Sequence, residues 1–126
     1  MATSVRAASP EAVVSAKFDA VNRHEISDIV SFYAPEAVLT ASDFCAARHG
    51  RAEVQRTYEA IFNAVPDIRA EVVEIVKQDN RIAARVILRS RERKFELPIM
   101  NFFTVRKGKI VRDDGIFDNG GRPCSS

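Results

Sequence analysis

Hydrophobic periodicity divides the chain into a helical first half and a strand-rich second half. Three stretches carry apolar residues at the three- and four-residue spacing of a helix, residues 9–24, 26–33 and 50–65. The first begins with Ser9-Pro10-Glu11, which supplies a capping hydroxyl, a proline suited to the first helical position and an early acid. Pro35 and Pro66 predict the ends of the second and third helices.

After Pro66 the pattern becomes strand-like, with many valine and isoleucine residues. Strands are predicted at residues 37–41, 68–77 and 81–90, and a hairpin over residues 98–118 turns at Arg106-Lys107-Gly108-Lys109. Residues 42–50 are predicted to form a loop. Helices gathered at one end of an antiparallel sheet indicate an α+β fold. A curved sheet can wrap the helices and leave a conical pocket, with Gly115 as the expected point of curvature.

Length and charge limit the classes of partner. The 126 residues suit a single domain, predicted over residues 9–118 between a disordered tail at 1–8 and a C-terminal tail at 119–126. A net charge of +2, with basic and acidic residues interleaved, does not indicate nucleic acid or a membrane surface as partner. The N-terminal stretch lacks the apolar segment of a signal peptide. We therefore expect a cytoplasmic protein in which Cys45 and Cys124 are reduced, although counting alone allows a disulfide.

The hairpin carries the candidate chemistry. Asp113 alternates with Val111, Gly115 and Phe117. If that face lines a cavity, burial raises the pKa of Asp113, and the carboxyl can act as a general acid or base near neutral pH. In the alternative interpretation Asp113 and Asp114 are strand-end carboxylates in water, or pair with Arg112.

Three further polar residues are candidates. Asn101 is flanked by apolar residues and could polarise a substrate carbonyl, or be a hydrogen-bonded core asparagine. Asp43 and His49 stand at the ends of one loop and could transfer protons together, although the helix-entry motif favours a His49 that caps or covers the start of the third helix. With two isolated histidines and no phosphate-binding loop, neither a metal nor another cofactor is expected.

A ligand pocket in such a fold is expected to be mainly apolar. The residues predicted to bind the substrate are Phe18, Tyr33, Tyr58, Phe62, Phe103, Gly115 and Phe117.

Residues from about 10 to 118 resemble a known family, most clearly in the runs 20–75 and 102–118. The resemblance rests on the Tyr33-Ala34 step, the R-H-G-R-A-E-V entry to the third helix, the P-D pair at its end and the G-K-I turn. With these pieces the chain resembles the SnoaL-like branch of the nuclear transport factor 2-like superfamily. That superfamily includes polyketide cyclases, ketosteroid isomerases, limonene epoxide hydrolases and scytalone dehydratase.

The resemblance implies a cone-shaped α+β domain that binds a small apolar molecule and forms a homodimer through the outer face of its sheet. The acids of the familiar enzymes are not at their usual places. The isomerase base falls on Ala41, two residues before Asp43, and the isomerase tyrosine falls on Lys17. The second isomerase acid falls on Asn101 or its neighbour Met100. The acid on the last strand of the cyclases and epoxide hydrolases falls on Gly115.

Two functions follow from these observations. The first is an acid–base enzyme without a cofactor that cyclises, isomerises or dehydrates an apolar carbonyl or polyketide-like compound. In it Asp113 transfers the proton, Asn101 donates to the substrate, and Asp43 or His49 assists. The second is a non-catalytic ligand-binding or dimerisation module that has kept the pocket. The loss of the three family positions favours the second function, and the replacement polar groups favour the first, which we expect by a small margin.

Overall fold

The computed structural model describes residues 8–126 as three helices and one six-stranded sheet. The helices are α1 (Pro10–Asn22), α2 (Ile26–Ser31) and α3 (Gly50–Ala64), and the strands are β1 (Tyr33–Ala41), β2 (Arg48–His49), β3 (Arg69–Gln78), β4 (Arg81–Ser90), β5 (Phe95–Arg106) and β6 (Lys109–Ile116). Apart from Ala8, the predicted N-terminal tail at residues 1–8 lies outside the described residues.

The sheet is mixed, with the strand order β2-β1-β6-β5-β4-β3. Strands β3 to β6 form the predicted antiparallel meander, and β1 joins β6 in parallel. The register shifts within β1, between β3 and β4, and between β5 and β6. Such bulges bend and twist a strand. Gly115 pairs regularly with Asn101 and is not at a bulge; the register irregularities lie elsewhere, and curvature at Gly115 stays a prediction.

The helices cover one face of this sheet. Helix α1 packs against β3, β4, β5 and β6, whereas α2 and α3 pack against β1. The apolar stripe of α1 is buried as its spacing predicts, and the hydroxyl of Ser9 accepts the backbone N–H of Ala12 at the helix start. The largest fully buried side chains are Tyr33, Phe103, Ile29, Ile82, Ile110, Val14, Val54 and Val86.

The second helix is shorter than predicted. It ends at Ser31, and Tyr33 begins β1 instead of ending the helix. The carbonyl of Phe32 accepts the N–H of Ile110 at 2.8 Å, which draws the chain onto β6. Pro35 then lies inside β1, in the stretch where the register with β6 is interrupted. A proline is tolerated there because no ladder hydrogen bond needs its missing N–H.

The end of α1 is joined to the sheet by side chains. The amide of Asn22 donates to the carbonyl of Ala70 at 2.9 Å and accepts its N–H at 2.7 Å. His24 donates from Nε2 to the carbonyl of Ile68 at 2.8 Å and stacks on Phe62 with ring centroids 4.4 Å apart. These contacts set the distance between α1 and the first strand of the meander.

The two cysteines form a disulfide, so the expectation of reduced thiols is wrong. Cys45 and Cys124 are 79 residues apart in sequence, and the structure brings their Cα atoms to 4.9 Å. The reason is that the C-terminal segment folds back onto the loop after β1. The N–H of Cys45 donates to the carbonyl of Ser125 at 2.9 Å, and the N–H of Ser125 donates to the carbonyl of Asp43 at 2.7 Å.

We predict that the double variant Cys45→Ser/Cys124→Ser has a free energy of unfolding lower by about 2–4 kcal/mol, because the cross-link restricts a long loop of the unfolded chain. Urea denaturation measures the difference. A reducing agent should destabilise the wild type and leave the double variant unchanged. Equal midpoints for the two oxidised proteins would contradict the prediction.

Candidate functional site

A buried carboxyl group lies between the first and last strands of the sheet. Asp113 on β6 is 7% exposed. Its Oδ2 accepts the hydroxyl of Tyr33 at 2.6 Å, and its Oδ1 accepts the amide Nδ2 of Asn101 at 3.0 Å. Tyr33 begins β1 and is completely buried, whereas Asn101 on β5 is half-buried. The two donors hold the carboxyl group in one orientation.

A bulge in β6 turns Asp113 inward. Phe103 pairs with Asp113, but Val105 pairs with Ile110, so β6 contains one residue more than β5 over this stretch. The extra residue lets Ile110 and Asp113, three positions apart, both point into the core. Simple alternation counted from Val111 therefore does not give the orientation of the side chains along the whole of β6.

Asp114 points to the other face of the sheet. Its carboxylate accepts the hydroxyl of Thr40 and the guanidinium Nε of Arg112, the latter at 2.9 Å. Of the two interpretations of this acidic pair, pairing with Arg112 therefore describes Asp114, whereas Asp113 is the buried acid.

Burial raises the pKa of Asp113, because the charged form loses its hydration. The nearby positive charge of Lys17 opposes this rise, as do the hydrogen bonds from Tyr33 and Asn101. Burial also raises the pKa of Tyr33 well above its ordinary value, and the charge of Asp113 adds to the rise. The phenol therefore remains a donor over the pH range in which the carboxyl group can gain or lose a proton.

The sequence interpretation placed the isomerase tyrosine position on Lys17 but did not include Lys17 among the predicted site residues. The Lys17 side chain is 3% exposed, and its Nζ lies 4.0, 5.3 and 5.5 Å from the ring centroids of Phe18, Tyr58 and Phe103. The signal was present in α1: Lys17 stands three residues after Val14 and four before Val21, on the apolar stripe. A lysine on such a stripe either reaches along the surface with its stem or is buried for a specific purpose.

Four of the predicted pocket residues surround the Lys17–Asp113 pair. Phe18, Tyr58 and Phe103 face Lys17, and Tyr33 bonds Asp113. Phe18 and Phe103 pack edge to face with centroids 5.9 Å apart. These side chains make the surroundings of the two charges aromatic.

The other three predicted pocket residues lie at the margin of this group. The ring of Phe62 lies beside that of Tyr58, with centroids 5.9 Å apart, and stacks on His24. Phe117 follows the end of β6, where its N–H donates to Ser42. Gly115 is buried beside Asn101, and a Cβ at this position would be 3.4 Å from the Asn101 Nδ2. The missing side chain leaves room for the amide of Asn101.

The structure does not bring Asp43 and His49 into this group. The strand ends at Ala41, and the N–H of Phe44 returns to the carbonyl of Ala41 at 3.0 Å, so the extended conformation that would align Asp43 with the interior is absent. His49 is exposed at the N-cap of α3, where its side chain makes no capping bond. Among the contacts of residues 8–126, none joins either side chain to Asp113.

Two surface clefts of about 780 and 440 Å³ lie at another part of the sheet. Their lining residues are Asp67, Arg69, Ala70, Glu71, Arg89 and Arg91 for the larger, and Arg89, Ser90, Arg91, Lys94, Phe95 and Glu96 for the smaller. Within the described part of the chain, neither cleft is lined by Asp113, Asn101 or Lys17. The buried acid therefore does not open into either of these clefts.

Residues 8–126 contain neither a membrane-spanning helix nor a metal-binding cluster of side chains. No helix there is both long and apolar enough to cross a membrane. No three or more histidine, cysteine, aspartate or glutamate side chains are grouped closely enough in that range to hold a metal ion.

Comparison with known protein families shows to which family the chain belongs. Residues 14–113 match the SnoaL-like domain. The chain belongs to the SnoaL-like family. The resemblance noted in the sequence and the predicted cone-shaped α+β architecture are thus confirmed. Curated proteins give no match to this sequence.

Several solved structures share the fold of this chain. A proposed polyketide cyclase of Sinorhizobium meliloti, protein SMa1630, has 23% identity and a TM-score of 0.74, covering 82% of this chain and 93% of its own. Wild-type IdmH of Streptomyces antibioticus, also a proposed polyketide cyclase, has 24% identity and a TM-score of 0.77, with 88% and 93% covered. A proposed ketosteroid isomerase of Kribbella flavida has 18% identity and a TM-score of 0.75, with 93% and 83% covered.

The raised pKa of Asp113 predicts a pH-dependent contribution to stability. Protonated Asp113 is favoured in the folded state, so its contribution is fully present below the ordinary value of 3.8 and is lost as pH rises through the raised pKa. We expect the wild type to lose stability relative to Asp113→Asn over this interval. Urea denaturation of both proteins at a series of pH values measures this difference in the free energy of unfolding.

The variant Tyr33→Phe tests the same pH dependence. It removes a hydrogen bond that favours the charged form, so the pKa of Asp113 rises further and the loss of stability extends to higher pH. A stability difference between wild type and Asp113→Asn that is constant with pH would contradict the assignment.

Proposed function

We propose that the protein is a cofactor-independent acid–base enzyme acting on a small apolar carbonyl or polyketide-like compound. The supporting observation is the buried carboxyl group of Asp113, held by Tyr33 and Asn101 in aromatic surroundings. Cyclisation, isomerisation and dehydration all need a proton moved between carbon and oxygen atoms, and a carboxyl group with a raised pKa is suited to such a transfer. The names of the similar structures, which include cyclases and an isomerase, agree with this class.

In the proposed reaction the Asp113 carboxylate takes a proton from the carbon next to a carbonyl group. The C–H electron pair forms a C=C bond, the carbonyl oxygen gains negative charge, and Asp113 becomes the acid that returns the proton elsewhere. Tyr33 and Asn101 each use one donor to orient the carboxyl group, and an oxygen lone pair remains for the substrate.

Asn101 keeps a second N–H, and its predicted role as a donor to the substrate carbonyl stays part of the proposal. The proposed proton transfer needs neither Asp43 nor His49.

A non-catalytic ligand-binding module of the same fold is the second candidate. Two observations favour it: Asp113 and Tyr33 are almost completely buried, and the two surface clefts lie away from them. In that case the same side chains would fill the interior and stabilise the fold instead of reacting.

We also propose that the protein forms a homodimer through the outer face of the sheet. The exposed large apolar residues are Val73, Val76, Met100, Phe102 and Ile116, all on strands. Met100 pairs directly with Ile116, and Phe102 is joined to Val76 through Ala83. An apolar patch of this kind is typical of a protein interface.

The cytoplasmic location expected from the sequence stays a prediction. The disulfide between Cys45 and Cys124 weighs against it, because such bonds persist mainly in oxidising compartments.

Proton exchange tests the enzyme directly. We expect the wild type to catalyse deuterium incorporation next to the carbonyl group of 2-tetralone in D₂O, measured by mass spectrometry. Asp113→Asn should reduce the rate by roughly 10²-fold or more, the usual contribution of a positioned acid or base. Asp114→Asn is the matched control, because Asp114 faces the other side of the sheet. No exchange by the wild type would favour the non-catalytic module, and equal rates in Asp113→Asn would remove Asp113 from the reaction.

The dimer has its own test. We expect the wild type to have twice the monomer mass of 14.0 kDa in size-exclusion chromatography with light scattering. Phe102→Glu should yield monomers, since a charge in the apolar patch opposes its burial. Glu59→Lys, an exposed change on α3, should leave the mass unchanged. A monomeric wild type would contradict the proposal.

A further inference from the structure

The buried Asp113 is nearest to solvent on the side of Asn101. Of its two hydrogen-bond donors, Tyr33 is completely buried, whereas Asn101 is half-buried. Asn101 pairs with Gly115, which pairs in turn with the half-buried Ala41. A Cβ on Gly115 would be 3.4 Å from the Asn101 Nδ2 and 3.9 Å from the Ala41 Cβ, so the three residues face inward together. This row of Ala41, Gly115 and Asn101 is called the site edge below.

The chain leaves the sheet directly beyond the site edge, on both β1 and β6. The N–H of Ser42 donates to the carbonyl of Gly115 at 3.1 Å, and the N–H of Phe117 donates to the Ser42 hydroxyl at 2.9 Å. Residues 42–47 and residues 118–126 therefore start from the same point. Phe44 of the first stretch packs against the core, and the guanidinium of Arg48 lies 3.7 Å from the centre of its ring. The position of these two stretches decides how far the site edge is open to solvent.

The disulfide and a few hydrogen bonds join the two stretches to each other. Cys45 and Cys124 form the covalent bond. Ser125 forms a parallel bridge with Phe44, and its N–H donates to the carbonyl of Asp43 at 2.7 Å. The N–H of Cys45 donates to the carbonyl of Ser125 at 2.9 Å.

The hydrogen bonds alone are too few to hold residues 118–126 in place. Within the described chain, the hydrogen bonds of residues 118–124 stay inside that stretch. Beyond it, Arg48 donates to the Ser125 hydroxyl at 3.2 Å, and Arg56 donates to the main-chain oxygen of Ser126 at 3.4 Å. Fixing the backbone of one residue costs as much free energy as one such bond contributes, or more. The disulfide is therefore the contact that keeps this exposed stretch ordered.

A reductant can reach the disulfide from solvent. Cys45 and Cys124 are both exposed, in contrast to the buried cysteines of a protein core. Exposed disulfides are the ones that exchange readily with thiols. The bond thus combines three properties: it is accessible, it holds a stretch that has few other contacts, and it lies next to the least buried side of the Asp113 site.

We propose that the Cys45–Cys124 bond is a redox switch that controls entry to the Asp113 site. In the oxidised form residues 42–47 and 118–126 are held together and the site edge is closed. Reduction by a dithiol releases residues 118–126 and opens the site edge. The inference rests on the proposed function only in taking Asp113 as the site.

The reduction is a thiol–disulfide exchange. A thiolate of the dithiol attacks one sulfur of the Cys45–Cys124 bond and forms a mixed disulfide, and the other cysteine leaves as a thiolate that takes up a proton. The second thiol of the reductant then displaces the remaining cysteine. Two electrons pass to the protein, which gains two cysteine thiols, and the dithiol becomes a disulfide.

Labelling of an introduced thiol by iodoacetamide measures access to the site edge without turnover. Ala84→Cys places a thiol next to Asn101, because Ala84 is its completely buried Cα partner on β4. The change is made in the protein with its disulfide and in Cys45→Ser/Cys124→Ser, so the introduced thiol is the only free one in both. We expect mass spectrometry to show labelling at least about tenfold faster without the disulfide, because local opening limits the reaction of a buried group.

Ala20→Cys is the matched control. Ala20 is also completely buried, and it lies on α1, away from the site edge. Its labelling should be equally slow with and without the disulfide. Equal acceleration at both positions would indicate a general loss of stability and overturn the inference, as would an unchanged rate for Ala84→Cys.

Hydrogen exchange of the unmodified sequence decides if Ala84→Cys does not fold. Reduction by dithiothreitol should accelerate exchange of the amides of Cys45 and Ser125 by at least about tenfold and leave residues 81–90 of β4 unchanged. Unchanged protection of Cys45 and Ser125 would overturn the inference.

The deuterium exchange of 2-tetralone separates this inference from the proposed function. A wild-type rate that rises on reduction, with a rate in Cys45→Ser/Cys124→Ser that ignores dithiothreitol, supports both. Faster labelling of Ala84→Cys without any exchange of 2-tetralone retains the switch and removes the enzyme. Exchange at the same rate in the oxidised and reduced wild type retains the enzyme and removes the switch.

Discussion

The hydrogen bond from the Tyr33 hydroxyl to Asp113 is the constraint on which the interior depends. It joins the start of β1 to β6 across 80 residues of sequence, and both groups are buried. Tyr33 also accepts a bond from Arg51 of α3 at its carbonyl oxygen, at 2.8 Å, and pairs with Ile110. One residue therefore connects the end of the helical segment, the third helix and the last strand, and an unpaired acid at position 113 would be costly to bury.

The same constraint gives the interior its chemical character. A carboxyl group with a raised pKa and a buried ammonium group lie together within an aromatic shell, each held by different neighbours. Such an arrangement adds less to stability than an apolar core of equal volume, because desolvation of charge offsets much of the attraction. Perturbed acids of this kind are concentrated at functional sites. The polar interior is therefore consistent with the proposed role of Asp113 in ligand chemistry.

Much of the architecture was predictable from local pattern. The strand predicted at residues 81–90 is β4, and the third helix begins at Gly50 as expected. The burial of α1 followed from its apolar spacing, and the resemblance supplied the arrangement of the elements. The predictions failed where a contact with a distant residue outweighed the local pattern. The second helix ends early because the backbone at Phe32 bonds to β6, and Pro35 is tolerated inside a strand. The cysteines are oxidised because the C-terminal segment folds back onto Cys45.

The sequence by itself determined the order of the elements apart from the short strand β2, which lies in the predicted loop at residues 42–50. It also indicated the family and the candidate acid Asp113, because these depend on residue spacing and motifs along the chain. Only the tertiary structure decided that Asp113 points inward and Asp114 outward, since a bulge between β5 and β6 changes the alternation. It also decided that Lys17 is inside and that Asp43 and His49 lie outside the group. A side chain's environment is set by what packs against it from other elements, and residue spacing alone does not contain that information.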